Sequence, residues 1–231
     1  MSHGEATRLI AVRHGETAWN VEARLQGQLD IPLNERGRDQ ARRAAHRLAD
    51  DHPDVVVSSD LARARATAEA IAGFNRLPLE LDAGLRERSF GGFQGLTHTE
   101  VAQRWPELSA RWKSRDPEFA PGGDGESLTV FHARCVEAAL RIAGRHAGKT
   151  VVLVTHGGVL DCLYRAASRV PLDAPRIWSL DNAAINRLLY TSSGLTMVGW
   201  NDTSHLDVGA PTLDESADRV PAAAALAART D

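Results

Sequence analysis

The sequence predicts an α/β fold, a three-layer α/β/α sandwich around a mostly parallel central sheet. Residues 9–12, 54–58 and 150–155 form short, continuous apolar runs, as strands buried on both faces do. Segments with 3.6-residue amphipathic spacing lie between these runs, and alternating strands and helices imply a sheet covered on both sides. The chain has 231 residues, 43% of them hydrophobic and 25% charged, an ordinary balance for one large domain with a well-covered core.

Taken in order, the first strand (9–12) runs into Arg13, His14 and Gly15, and residues 16–33 read as a long loop leaving the sheet edge. Asn34 is a candidate cap for a helix of about fifteen residues with Ala41, Ala44, Ala45 and Leu48 inward. A strand at 54–58 and a helix at 60–72 follow, then a short strand at 79–81 and a loop holding Glu87, Gly91, Gly92 and Gly95. Residues 98–121 mix Trp105, Trp112, Pro106 and Pro117 with charges and read as an insertion covering the sheet edge. A helix at 128–144, a strand at 150–155 and a helix at 159–167 come next. Two strands, 184–190 and 195–200, join through a turn at Ser192, Ser193 and Gly194.

The net charge of −3 argues against a nucleic-acid partner, which favours a basic stripe. Cys135 and Cys162 are too few for a disulfide framework or a zinc knuckle and read as reduced core residues. No signal-peptide pattern and no membrane-length apolar run is present, so the expected location is cytoplasmic, with no membrane partner. The sequence is compatible with a homodimer but does not fix the oligomeric state.

Two strand ends carry the same junction: Arg13, His14, Gly15 after one strand and Thr155, His156, Gly157 after another. Ligands of open α/β sheets gather where such strands end, so two imidazoles there make a site. Arg63 alone reads as a solvated helix arginine like Arg65, but its place after a strand brings it to the same edge. Guanidinium forks and helix N-termini both suit phosphate oxygens. Glu87, alone a surface acid beside Arg86 and Arg88, reaches that edge as well, and a carboxyl near bound phosphate is suited to proton donation. The run 144–150 imitates a nucleotide-binding loop, but its glycines are one residue too close and it joins helix to strand, so it reads as a helix end with glycine caps. His46, His52, His132 and His146 read as surface residues, His3 and His205 are unremarkable, and no metal-ligand cluster or cofactor is expected.

The segment from Arg13 to Asn20 resembles the signature of the histidine phosphatase superfamily, in its phosphoglycerate mutase-like branch. Further matches lie at Gly27, Asp30, Pro32, Gly37, Ser58, Ser59, Arg63, Thr67, Leu85, Glu87, Gly91, Gly95, Glu126, Ser127 and His156. The resemblance implies a phosphoglycerate mutase-like domain over residues 1–205, a lid insertion at about 98–121 and a C-terminal tail at 206–231. It further implies that His14 is phosphorylated, that Arg13, Arg63 and His156 hold the phosphoryl group, and that Glu87 acts as acid and then base. Asn20 and Gly157 would add phosphate contacts, Gln26 and Gly27 would line the substrate side, and the partner would be a small phosphorylated substrate. Neither a metal nor another cofactor is implied.

Hydrolysis, transfer to a second hydroxyl, and simple binding all use such a pocket. His98 stands where the mutase pattern has a lysine, and no adjacent arginine pair in residues 98–121 aligns with that of the mutases, which favours a phosphatase. Gln94 before Gly95 is closer to the mutase pattern, and a pure binder would lack the nucleophile or the acid that His14 and Glu87 supply.

Overall fold

The computed structural model describes residues 6–207. Its six strands are β1 (Thr7–Arg13), β2 (Val55–Ser58), β3 (Leu79–Leu81), β4 (Thr150–Thr155), β5 (Ile185–Thr191) and β6 (Gly194–Asp202). They form one sheet in the order β3-β2-β4-β1-β5-β6. The first four are mutually parallel, β5 pairs antiparallel with β1 and β6 pairs antiparallel with β5, which completes a mixed α/β sandwich. β4 is inserted between β2 and β1, so consecutive crossovers bring three strand ends side by side.

The apolar alternation inside the strands shows why both faces are covered. Leu9 and Ala11 pack with Val151, Leu153, Phe131 and Leu160 on one side, toward α6 (Leu128–Arg145) and α7 (Gly157–Ser168). Ile10 and Val12 pack with Leu48, Ala64 and Ile71 on the other, toward α2 (Glu35–Leu48) and α3 (Ala62–Asn75). Cys135 and Cys162 are buried free thiols of the first of these cores. No helix among the described residues is long and apolar enough to cross a membrane.

Several expectations need correction. The supposed loop at 16–33 contains a helical turn, α1 (Ala18–Val21), started by a capping box in which Thr17 and Asn20 satisfy each other's backbone. Residues 98–121 hold two short helices, α4 (His98–Arg104) and α5 (Pro106–Lys113), in which Pro106 takes the first helical position that tolerates it. Gly144 lies within α6 and caps nothing; the chain turns instead at Gly148, with φ of 75°. His132 and His146 are half-buried, the latter 3.5 Å from Glu80, so they are not free surface residues. Residues 204–206 form a 3-10 turn against α2; the tail from 208 onward, and His3, lie outside the described residues.

The turn after β1 is held against the start of α2 by direct backbone approach. Asn34 caps α2 through the Gly37 amide at 2.7 Å and donates to Glu16 at 2.8 Å. A Cβ on Gly37 would sit 2.0 Å from the Glu16 carbonyl oxygen, and one on Gly15 would sit 2.3 Å from the Gly37 oxygen. Gly37→Ala therefore forces backbone apart: we expect a loss of about 1–3 kcal/mol, read as a lower urea midpoint with unchanged slope.

Candidate active site

β1 and β4 are neighbours in register, Arg13 opposite Thr155, so the residues that follow them emerge together. His14 and His156 have ring centroids 5.2 Å apart, and both are buried. The Nδ1 atom of His14 lies 2.7 Å from its neighbour's carbonyl, Gly15 O, which fixes the proton on Nδ1 and leaves the Nε2 lone pair free. His156 follows β4 and occupies the N-cap position of α7, and its Nε2 lies 2.8 Å from the Ser59 hydroxyl. Its Nδ1 is buried without a partner among the described residues.

Arg63, on the first turn of α3, is 1% exposed, in contrast to a solvated helix arginine. Its Nη atoms donate to Leu29 O at 2.8 Å and Gly27 O at 2.7 Å, while its buried Nε has no partner. Arg13 donates through Nη1 to Leu180 O and likewise keeps a buried, unpartnered Nε. Burial pulls Arg63 down to about 10 and lowers Arg13 as well, in each case against the opposing pull of Glu87.

Glu87 follows the 3-10 turn at Ala83–Leu85 and is anchored at both oxygens: Oε2 accepts from the Gly158 amide at 3.0 Å and Oε1 from the Arg88 amide at 2.8 Å. Gly158 makes room for this. A Cβ on Gly158 would lie 2.2 Å from Glu87 Oε1, and one on Gly157 would lie 3.5 Å from Arg13 Nε. α7 starts at Gly157, two residues before the helix expected from sequence, so the Gly157 amide has no intrahelical acceptor, and Gly157 lines a cavity together with Arg13.

A cavity of about 130 Å³ collects Arg13, His14, Asn20, Gln26, Gly27, Arg63 and Glu87. His156 joins through its contact with the His14 ring, and Gly157 lines the adjoining cavity beside Arg13. All nine residues expected from sequence thus meet at one sheet edge. Asn20 differs in detail: its Oδ1 is committed to Thr17 N and Oγ1, both at 3.0 Å, and to Asn182, so only its amide nitrogen remains for a ligand. Ser59, Asn182, Gln94 and Arg88 were not singled out by their sequence context as site residues. Gln94 accepts from the Gln28 amide at 2.9 Å and supports the turn at Gly27, whose φ is +54°.

Burial, then Arg63 and Arg13, hold the His14 imidazole well below its ordinary range; burial, Arg63 and His14 do the same to His156. Only a neutral imidazole has a nucleophilic lone pair, so lowering the pKa of His14 keeps that form available further toward acid. The acidic limb of kcat/KM, which reports the free enzyme, is expected below pH 6.5, the ordinary imidazole value. A limb above that value in a pH–rate profile would contradict this environment for His14.

Unpartnered guanidinium and imidazole nitrogens around one small cavity, with a free imidazole lone pair and an adjacent carboxyl, define an enzyme of the phosphoryl-transfer class. The chain belongs to the histidine phosphatase superfamily (branch 1), whose family model matches residues 9–203. It is 40% identical over 205 residues to the metal-independent phosphoserine phosphatase of Arabidopsis thaliana, covering 87% of this chain and 84% of that protein. It is also 40% identical over 202 residues to phosphoglycerate mutase-like protein 4 of the same plant, covering 86% of each. A solved mycobacterial glucosyl-3-phosphoglycerate phosphatase in complex with VO3 superposes with a TM-score of 0.76 at 36% identity, over 85% of this chain and 99% of that one.

Proposed function

We propose that this protein hydrolyses phosphate monoesters of small metabolites through a phosphohistidine on His14. The observation that carries this reading is the His14 ring itself: Nδ1 tied to Gly15 O at 2.7 Å, Nε2 free, and unpartnered Arg13 and Arg63 Nε atoms around it. Nε2 attacks phosphorus while the ester oxygen departs in line, and a protonated Glu87 gives that oxygen its proton. Water then attacks the phosphohistidine, passes its proton to Glu87, and releases inorganic phosphate with His14 restored. Arg13, Arg63 and the Gly157 amide hold the equatorial oxygens, where charge stabilisation counts most. A Ser59 hydroxyl donating to His156 Nε2 leaves the proton on Nδ1, so a neutral His156 joins them as a donor.

Similarity to a metal-independent phosphoserine phosphatase and a glucosyl-3-phosphoglycerate phosphatase supports hydrolysis over transfer to a second hydroxyl. The one feature that pointed to a mutase, Gln94, serves the Gly27 turn, a task either reaction shares. Among the described residues no three His, Cys, Asp or Glu side chains converge as a metal site. Hydrolysis of 4-nitrophenyl phosphate should proceed undiminished after exhaustive chelation. Loss of activity with chelator and its return with a divalent cation would overturn the proposed mechanism.

A further inference from the structure

Arg134, on α6, has an acceptor for every N–H group of its guanidinium. Two of them grip the Glu126 carboxylate as a fork, Nε on Oε1 and Nη2 on Oε2, both at 2.8 Å. The others go to the backbone that carries the acid: Nη1 donates to Gly84 O at 3.0 Å and Arg86 O at 2.9 Å, and Nη2 to Glu87 O at 3.2 Å. Resting on the phosphatase reading, we propose that Arg134 is a positioning residue for proton transfer, holding the 84–89 turn so that the Glu87 carboxyl keeps one place through both half-reactions.

Glu126 closes the other side of the turn. Its Oε2 accepts from the Ser89 amide at 2.8 Å, its own amide donates to Ser89 O at 2.9 Å, and its carbonyl accepts from Arg88 Nε at 2.7 Å. The chain is therefore fixed on both flanks of Glu87 by a pair that does not itself line the cavity of His14 and Arg63. One of the two amides that anchor the Glu87 carboxyl, Arg88 N, belongs to this same turn, so any shift of the turn carries the carboxyl with it. The other, Gly158 N, is steadied from the same helix. The Phe131 ring lies 5.1 Å from the Arg134 Cζ, measured to its centroid, and 3.0 Å from where a Cβ on Gly158 would sit.

An ion pair with Glu126 would serve stability alone; three carbonyls within four residues of chain serve the placing of one segment. Glu87 needs such a mount because it gives a proton to the ester oxygen and then takes one from water, and a misplacement of about 1 Å costs on the order of 10²-fold. A planar guanidinium fork sets direction as well as charge, which the point charge of a lysine does not.

Arg134→Lys in the full chain tests this, since it keeps the cation opposite Glu126 and loses the fork. The readout is log kcat/KM against leaving-group pKa, from 4-nitrophenyl phosphate through phenyl phosphate to glycerol 2-phosphate; the folded fraction cancels from that slope. The slope should steepen: 4-nitrophenyl phosphate changes little, while the alkyl ester falls by about tenfold or more, part of the 10²–10⁴ that a positioned acid supplies. In the Glu87→Gln background the same substitution should add no further change, because residues acting through one group are not additive. Glu126→Gln, which removes the charge and keeps one acceptor oxygen, should steepen the slope likewise and provides the same test where Arg134→Lys does not fold. An unchanged slope, which a merely structural role would give whatever the loss of activity, or an additive loss beside Glu87→Gln would overturn the proposal and leave the phosphatase reading intact. No hydrolysis of any of the three esters by the unaltered protein would overturn the reading beneath it.

Discussion

His14→Ala is expected to lower kcat for 4-nitrophenyl phosphate by about 10⁴-fold or more, since a covalent route loses its nucleophile and cannot be replaced by positioning alone. The fold should survive, because the buried ring belongs to neither apolar core of the sheet and its one hydrogen bond is to the adjacent Gly15 carbonyl. Melting near that of the unaltered protein together with lost turnover would separate chemistry from stability. The expectation follows from the environment rather than from the residue type. His14 is held neutral by burial and by Arg63 and Arg13, and those same arginines attract the anion it must attack. Turnover surviving at a tenth of the original rate would mean that water attacks phosphorus directly.

Glu87→Gln should separate substrates by leaving group. For an alkyl phosphate the departing alkoxide needs a proton, and loss of a positioned acid costs about 10²–10⁴-fold. 4-Nitrophenolate is stable without one, so the first half-reaction on that ester should suffer far less. Gln is nearly isosteric, but its single amide oxygen can accept from only one of the two backbone N–H groups, Gly158 and Arg88, that anchor the carboxylate, so a modest loss of stability is expected beside the kinetic effect. A burst of nitrophenol followed by slow turnover is therefore expected, because dephosphorylation of His14 still needs a base. Equal losses for alkyl and aryl esters would place Glu87 in substrate binding and remove it from proton transfer.

Much of this was legible in the chain because it depends on local order. The runs at 9–12 and 150–155 are buried on both faces, and each ends in a His-Gly pair, so parallel pairing alone brings His14 beside His156. Glu87 and Arg63 were reachable because each follows a strand that ends at that edge. What stayed hidden depends on distant packing or on residues with mixed signals. Gly157 and Gly158 have poor helix propensity, so α7 seemed to start at Val159; at Gly158 a Cβ would fill the space that Glu87 needs. α4 and α5 were obscured by Trp105 and Pro106, which terminate one helix and open the next. Arg88 looked like a surface partner for Glu87, and only the closure of Phe119 and Glu126 over it makes it a buried charge.

The central claim is that phosphorus resides for a time on His14. Rapid acid-free quenching of Glu87→Gln protein mixed with ³²P-labelled 4-nitrophenyl phosphate, followed by peptide mapping, tests it most directly. The account predicts a label that is stable to base, labile to acid, confined to the peptide containing His14 and absent from the His14→Ala protein. Label on another residue, or burst-sized nitrophenol release with no protein-bound phosphorus, would contradict it.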